Sequence, residues 1–325
     1  MGEHPPIAPA APLTLAEAAA QVLSEQTRVL RKLGRRVRRG RDPEDVHQMR
    51  VATRRLRAAL RMLRGQLVVD PRVRRSLRWL AGHLGRVRDD DVILALLGTH
   101  VPKASGAEGR RLVALVASLA RARAKARRRL RGALDRPRYR RLVRRLARTA
   151  SAPAVAGDPD RLAARALTDA TLRLARDAER EQAMVDPSPS PEALHRLRIA
   201  FKRLRYVLDF HAATGGPAYD VERDLARSMQ DVLGAVHDHD LLMGWLVAGA
   251  GPFAGPWPVL GARLQRNRAT LYRKFLRLRR EWRERTRGSP SVATLEEPRF
   301  VHLEPRSVTL RLVTGGKHVA STMIS

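Results

Sequence analysis

Two stretches of this chain occur twice, and that repetition constrains the fold more than any other feature. The segment HQMRVATRRLR at 47–57 returns as HRLRIAFKRLR at 195–205, 148 residues further on. The segment LGRVRDDDV at 84–92 returns as LGAVHDHDL at 233–241, 149 residues further on. Two separate segments that keep their order and nearly their spacing mark the duplication of a whole half. The 325 residues must therefore accommodate two similar halves, joined near residues 150–160.

Each half reads as helical. Long runs of Ala, Leu and Arg alternate with short breaks near Gly40–Pro43, Asp70-Pro71, Val101–Gly109, Ala150–Pro159, Pro187–Pro191, Gly215–Pro217 and Gly249–Pro258. The intervening helices are longer than the globular average, and aromatics make up only 4% of the chain. An all-α fold with about four helices per half follows. With 44% hydrophobic residues the chain can bury a core. The expected division is residues 1–13 as a Pro/Ala-rich flexible start, 14–150 and 151–285 as the two halves, and 286–325 as a tail. Within that tail Ser307–Val313 has strand-like composition, followed by Gly315-Gly316, so a small hairpin competes there with a loose end.

The two copies of the first repeat start alike. Asp42-Pro43-Glu44-Asp45 supplies an N-cap, a first-turn proline and acids; Ser190-Pro191-Glu192 repeats the pattern. At about 100° per residue, His47, Arg50, Arg54, Arg57, Arg61 and Arg64 share one sector of the first helix. Val46, Met49, Thr53, Leu56, Leu60 and Leu63 form the adjoining core face, while Val51, Ala58 and Met62 form the other flank. In the second helix His195, Arg198, Lys202 and Arg205 make the basic sector. There Leu194, Leu197, Phe201, Leu204 and Leu208 form the core face, and Ile199, Tyr206 and Phe210 the other flank. Arg55 and Arg203 point elsewhere. An arginine stripe is ordinarily a solvated helix face. A stripe bordered by apolar residues on both sides, and repeated with histidine in the same place, is instead expected to be walled in by neighbouring helices. Crowded cations repel one another, so an anion is the natural compensation. From His47 to Arg64 the stripe runs about 25 Å, which suits a long ligand of repeating charge.

Composition points the same way. Lys and Arg number 64 against 32 Asp and Glu, a net charge of +32, and only six of the basic residues are lysine. That balance calls for nucleic acid, an anionic surface or polyphosphate as partner, and arginine grips phosphate oxygens in pairs. A GC-rich genome would equally favour arginine over lysine, but it does not account for the net charge. With no cysteine there are no disulfides, thiolate metal sites or cysteine nucleophiles. The first 20 residues lack a basic segment followed by an apolar run, so no signal peptide is expected. No run approaches the length of a membrane span, and the expected location is the cytoplasm.

A second basic face runs through Arg121, Lys125, Arg128 and Arg131. Lys125, Arg128 and Arg131 match Lys274, Arg277 and Arg280 at the repeat spacing, so each half is expected to offer a second basic helix across a groove. The acids Asp89, Asp91, Asp238 and Asp240 follow the repeated Leu-Gly. Carboxylates two apart on a helix diverge, which favours pairing with arginine over a shared divalent ion; no metal or cofactor is expected.

These segments resemble the CHAD family, named for a conserved histidine α-helical domain. The likeness covers residues 14–284 and rests on four motifs in order: HxxRVAxRRLR at 47, HxxRIAxKRLRY at 195, and the two LGxxxDxD segments. The resemblance implies two pseudo-symmetric four-helix bundles around a basic central pore or groove. It implies inorganic polyphosphate as ligand, no catalysis by the domain, and an association of some members with polyphosphate granules or polyphosphate-metabolising enzymes. Carried over residue by residue, the ligand-contacting positions are His47, Arg50, Arg54, Arg57, His195, Arg198, Lys202 and Arg205; Arg61 fits the same face, but its counterpart is Asp209. The Glu-x-Glu-x-Lys signature of the CYTH triphosphatase domain that accompanies some members is absent.

Three functions therefore compete: a polyphosphate-binding module, a nucleic-acid binder, and an enzyme acting on phosphate chains. A chain of +32 binds nucleic acid nonspecifically at low salt, but it carries no paired-aromatic RNA-recognition motif, zinc finger or basic zipper. Gly315-Gly316-Lys317-His318 lacks the spacing and hydroxyl of a P-loop, and the carboxylates do not cluster as a two-metal site requires. Polyphosphate binding is the favoured expectation.

Overall fold

Most helix starts in this chain are written in short-range chemistry. The computed structural model describes residues 13–40, 42–103, 105–155, 163–185, 189–213, 219–248, 253 and 256–288. Among them run nine α-helices: α1 (Leu15–Arg39), α2 (Pro43–Met62), α3 (Pro71–Gly98), α4 (Gly106–Asp135), α5 (Pro137–Ser151), α6 (Ala163–Ala183), α7 (Pro191–Ala213), α8 (Asp220–Ala248) and α9 (Pro258–Gly288). The expectations for residues 1–12, for 156–162 in the join and for the hairpin at Ser307–Val313 lie outside the described residues.

Asp42 and Asp70 cap α2 and α3, each accepting from the backbone N–H two residues on at 2.8 Å, with proline next in sequence. Ser190 Oγ accepts from the Ala193 N–H at 3.2 Å at the start of α7. Thr14 and Glu17 form a reciprocal capping box on α1. That helix ends at Gly40, whose φ of 68° favours glycine, with its N–H donating to the Arg36 and Val37 carbonyls.

The helices do not divide four and four. Pro137 cannot continue α4 and forces Arg136 to an extended conformation (φ −65°, ψ 146°), so α5 starts afresh. The first half thus holds five helices. α1 through α4 pack each on the next, and α5 lies against α1, α3 and α4; α6 through α9 again pack in succession. The halves meet where α1 touches α6, α2 touches α7 and α3 touches α8.

The apolar interior is continuous across that junction. One cluster joins Leu30, Met49, Leu56 and Leu77 of the first half to Leu197, Phe201, Val236 and Trp282 of the second. The Phe201 and Trp282 rings meet edge to face, centroids 5.0 Å apart. A second cluster ties Leu97, Leu112 and Leu115 to Leu242, Leu246 and Leu264. At about 1.5–3 kcal/mol per fully buried large apolar side chain, shared burial of this kind holds the halves in one body. The paired helices α2 and α7, with α3 and α8 packed on them, position the basic residues.

Candidate anion-binding site

The helical wheel of the two repeats holds in three dimensions. Val46, Met49, Thr53, Leu56, Leu60 and Leu63 on α2, and Leu194, Leu197, Phe201, Leu204 and Leu208 on α7, are each at most 2% exposed. The Thr53 hydroxyl donates to the Met49 carbonyl at 2.8 Å, which satisfies that buried group within its own helix. One sector round, His47, Arg50, Arg54, Arg57, His195, Arg198, Lys202 and Arg205 are all half-buried. Arg61 and Arg64, at the far end of the predicted stripe, are exposed.

The two half-strips face each other and charge one another's surroundings. Burial lowers the Lys202 pKa to about 8, reinforced by Arg198, Arg54, Arg50 and Arg57. Arg54 is pulled down by burial, with Arg205 and Arg50 adding repulsion; Arg198 by burial and Arg50; Arg57 by burial and Arg61. Arg54 and Arg205 both stand over the Tyr206 ring, 5.5 and 5.1 Å from its centre. Among the described residues Arg50, Arg54, Arg57, Arg198 and Lys202 have no carboxylate within ion-pair distance, and only Arg205 has one, Asp209 at 3.6 Å. The Nε atoms of Arg54 and Arg198 are buried with no hydrogen-bond acceptor. Such a cluster is unfavourable in itself and complementary to dense negative charge.

The histidines sit at the rim of this cluster. Burial, then Arg88, lowers the His47 pKa; burial, then Arg198 and Lys202, lowers that of His195. His195 stacks on His237, ring centres 4.5 Å apart, and burial with Arg198 and His195 takes His237 down to about 4. Arg88 and His237 occupy the same position in the second repeat and face the strip from α3 and α8. Both belong to the second repeat, and their shared repeat position and basic character are the only signal in the sequence that places them at the site.

Lys125 and Arg128 on α4, and Lys274 and Arg277 on α9, are exposed; α4 packs on α3 and α9 on α8, and the Arg127 guanidinium of α4 donates to the Asp42 carbonyl at the start of α2 at 3.4 Å. The acidic residues divide. Asp91 is bound by Arg123 and Asp240 by Arg268, so these two pair with arginine. Asp238 is half-buried; burial raises its pKa against the opposing pull of Arg198 and Arg88. Asp89 is exposed, and among the described residues no group of three His, Asp or Glu side chains is placed to hold a metal ion.

The second apolar flank is covered in part: Phe210 is buried and Ala58, Met62 and Tyr206 are half-buried, and all four border a cavity of about 670 Å³ between α1, α2, α6 and α7. Arg55, Arg61 and Arg203 line that cavity.

Fold and site together define an all-helical protein in which two matched helices gather half-buried cations, most of them without an ion-pair partner among the described residues, into one strip. The CHAD domain family model matches residues 21–247, and the chain belongs to that family. Its structure is similar to the crystal structure of the CHAD domain from the plant Ricinus communis, at 25% identity over 89% of this chain and 99% of that one, with a TM-score of 0.63. It also shares its fold with PptA from Streptomyces chartreusis, at 20% identity over 85% of this chain and 100% of that one, with a TM-score of 0.62. No curated protein matches the chain. Among the described residues no helix is long and apolar enough to cross a membrane.

Proposed function

We propose that this protein binds inorganic polyphosphate along the strip formed by His47, Arg50, Arg54, Arg57, His195, Arg198, Lys202 and Arg205, and that it binds without turning the ligand over. The observation that carries this reading is the half-burial of eight basic side chains with one carboxylate among the described residues, Asp209, in ion-pair reach of any of them. A phosphate chain supplies acceptors at every repeat, and each charge-assisted contact to a guanidinium contributes about 1.5–3 kcal/mol. Arg88 and His237 extend the strip from α3 and α8. The exposed Lys125, Arg128, Lys274 and Arg277 act as an outer field that draws the polyanion in. Binding rather than hydrolysis fits the engagement of Asp91 and Asp240 by arginines. In the cell the role is that of a scaffold at polyphosphate granules, or a docking partner of polyphosphate-metabolising enzymes, in the cytoplasm.

The deciding experiment is competition at near-physiological salt between labelled long-chain polyphosphate and duplex DNA or RNA. It is repeated on the folded variant carrying Arg50→Ala, Arg54→Ala, Arg198→Ala and Lys202→Ala. A preference for polyphosphate that drops about a hundredfold or more in the variant is the expected result. Equal or tighter nucleic-acid binding that survives the four substitutions would leave only a general polycation, an outcome that a net charge of +32 makes a real competitor.

A further inference from the structure

The cavity between α1, α2, α6 and α7 differs from the strip in chemistry. Its volume is about 670 Å³, and its floor is apolar, made by Val22, Ala59, Ala170, Val207 and Phe210. Its rim carries six arginines: Arg55, Arg61, Arg173, Arg176, Arg180 and Arg203. The carboxylates nearby are fewer. Asp177 is engaged by Arg180, and Asp209 stands 3.6 Å from Arg205 of the strip, leaving Glu25. Arg55, Arg61, Arg173, Arg176 and Arg203 have no ion-pair partner among the described residues. Gln26 is 4% exposed and lines the same cavity.

An apolar floor under a cationic rim selects against a ligand charged along its whole length. A phosphate chain pressed onto Val207 and Phe210 would surrender water with nothing in exchange. A ligand with one charged end avoids that penalty: its head meets the arginines and its body covers the floor. The volume lies in the range of small-molecule sites, which are concave, mostly apolar and supplied with a few placed polar groups.

We propose that this cavity is a second site, separate from the strip, for a small amphipathic anion: a phosphate or carboxylate head on an apolar body. The head binds among Arg55, Arg173, Arg176 and Arg203, where paired guanidinium donors match either oxyanion. The body lies on Val22, Ala170 and Phe210, and the Gln26 carboxamide takes a polar group of the body. Tyr206, which lines the cavity while Arg54 stands over its ring, is the wall shared with the strip.

The test is calorimetric titration of the whole protein with 1-naphthyl phosphate and 1-naphthoate, and separately with inorganic phosphate and 1-naphthol. At least one of the two amphipathic probes should bind about tenfold or more tightly than either half-probe, and the better of the two heads identifies the class. Ala58→Trp fills the cavity from α2 and should weaken that probe about tenfold or more while polyphosphate affinity stays within about twofold. If Ala58→Trp does not fold, Arg173→Ala with Arg176→Ala on the exposed side of α6 should weaken the probe to a similar extent. The strip variant carrying four alanines should bind the probe as the parent does, which keeps this site's outcome apart from that of the polyphosphate reading. The proposal is overturned if neither amphipathic probe exceeds its half-probes. It is equally overturned if polyphosphate and the probe are lost together in Ala58→Trp, since the cavity would then be the strip's own mouth.

Discussion

Lys202 has its pKa at about 8 because burial and four guanidiniums disfavour its charge, and a bound phosphate would oppose that shift by attracting the ammonium and offsetting the guanidiniums. The same holds for His47, His195 and His237, all held below their ordinary value in the free protein. Polyphosphate binding must therefore take up protons, and affinity must fall as pH rises through about 8, where the free protein gives up the Lys202 proton. Below neutrality the histidines add to affinity until each is protonated in the free protein as well. Stability of the unliganded protein moves the other way. The folded pKa of Lys202 lies below its unfolded value of 10.5, so folding is penalised while Lys202 is charged and the penalty is relieved as pH climbs from about 8. Lys202→Arg keeps the charge and should flatten the fall in affinity between about pH 7 and about pH 9. Titrations across that range test it; a parent affinity that does not change there sinks the assignment of Lys202 to the ligand. The wheel made the eight strip positions legible because core and basic sectors follow from periodicity along one helix. It did not show that Arg61 lies on a second cavity, because which flank is covered depends on how far α6 stands from α2, a tertiary distance with no local signal.

At the scale of helices, α1 and α5 approach closely at one point. The Tyr139 hydroxyl donates to the Leu30 carbonyl at 2.8 Å, and a Cβ on Gly34 would stand 2.1 Å from the Tyr139 oxygen. Gly34→Ala must therefore push α5 off α1 or displace Tyr139, a loss of about 1–3 kcal/mol by overpacking. Urea unfolding measures it, and an unchanged midpoint would mean that α5 is only loosely seated. Helix starts at Asp42, Asp70 and Ser190 were readable because a short side chain and a following proline act locally. The Arg136-Pro137 break was not read, although Asp135 and Pro137 carry much the same acid-and-proline signal as Asp70-Pro71, and α5 was missed with it. The facing of α3 and α8 across the strip was also hidden. Lys125 and Lys274 share a repeat spacing as Arg88 and His237 do, and only packing shows that the second pair is half-buried beside the strip histidines while the first is exposed.

Taken whole, the molecule folds with a net charge of +32 around a core that crosses from one half to the other. The self-repulsion of that charge is offset by burial, and it is strongest where cations are half-desolvated, in the strip. A polyanion seated there prefers the folded state, because unfolding scatters α2 and α7 and leaves only the general charge of the chain to hold it. Ligand at about a hundred times its dissociation constant should then stabilise the fold by at most about 2.7 kcal/mol, less whatever the unfolded polycation binds. Thermal melts with long-chain polyphosphate should show that rise, shrinking as salt is added and counterions compete for the arginines. The four-alanine strip variant separates site from bulk charge, since removing four cations leaves most of the net positive charge in place. If its melting temperature no longer responds to polyphosphate, the stabilisation belongs to the strip. If it rises as much as that of the parent, the charge of the whole surface is responsible, and half-burial of the strip cations has no part in recognition.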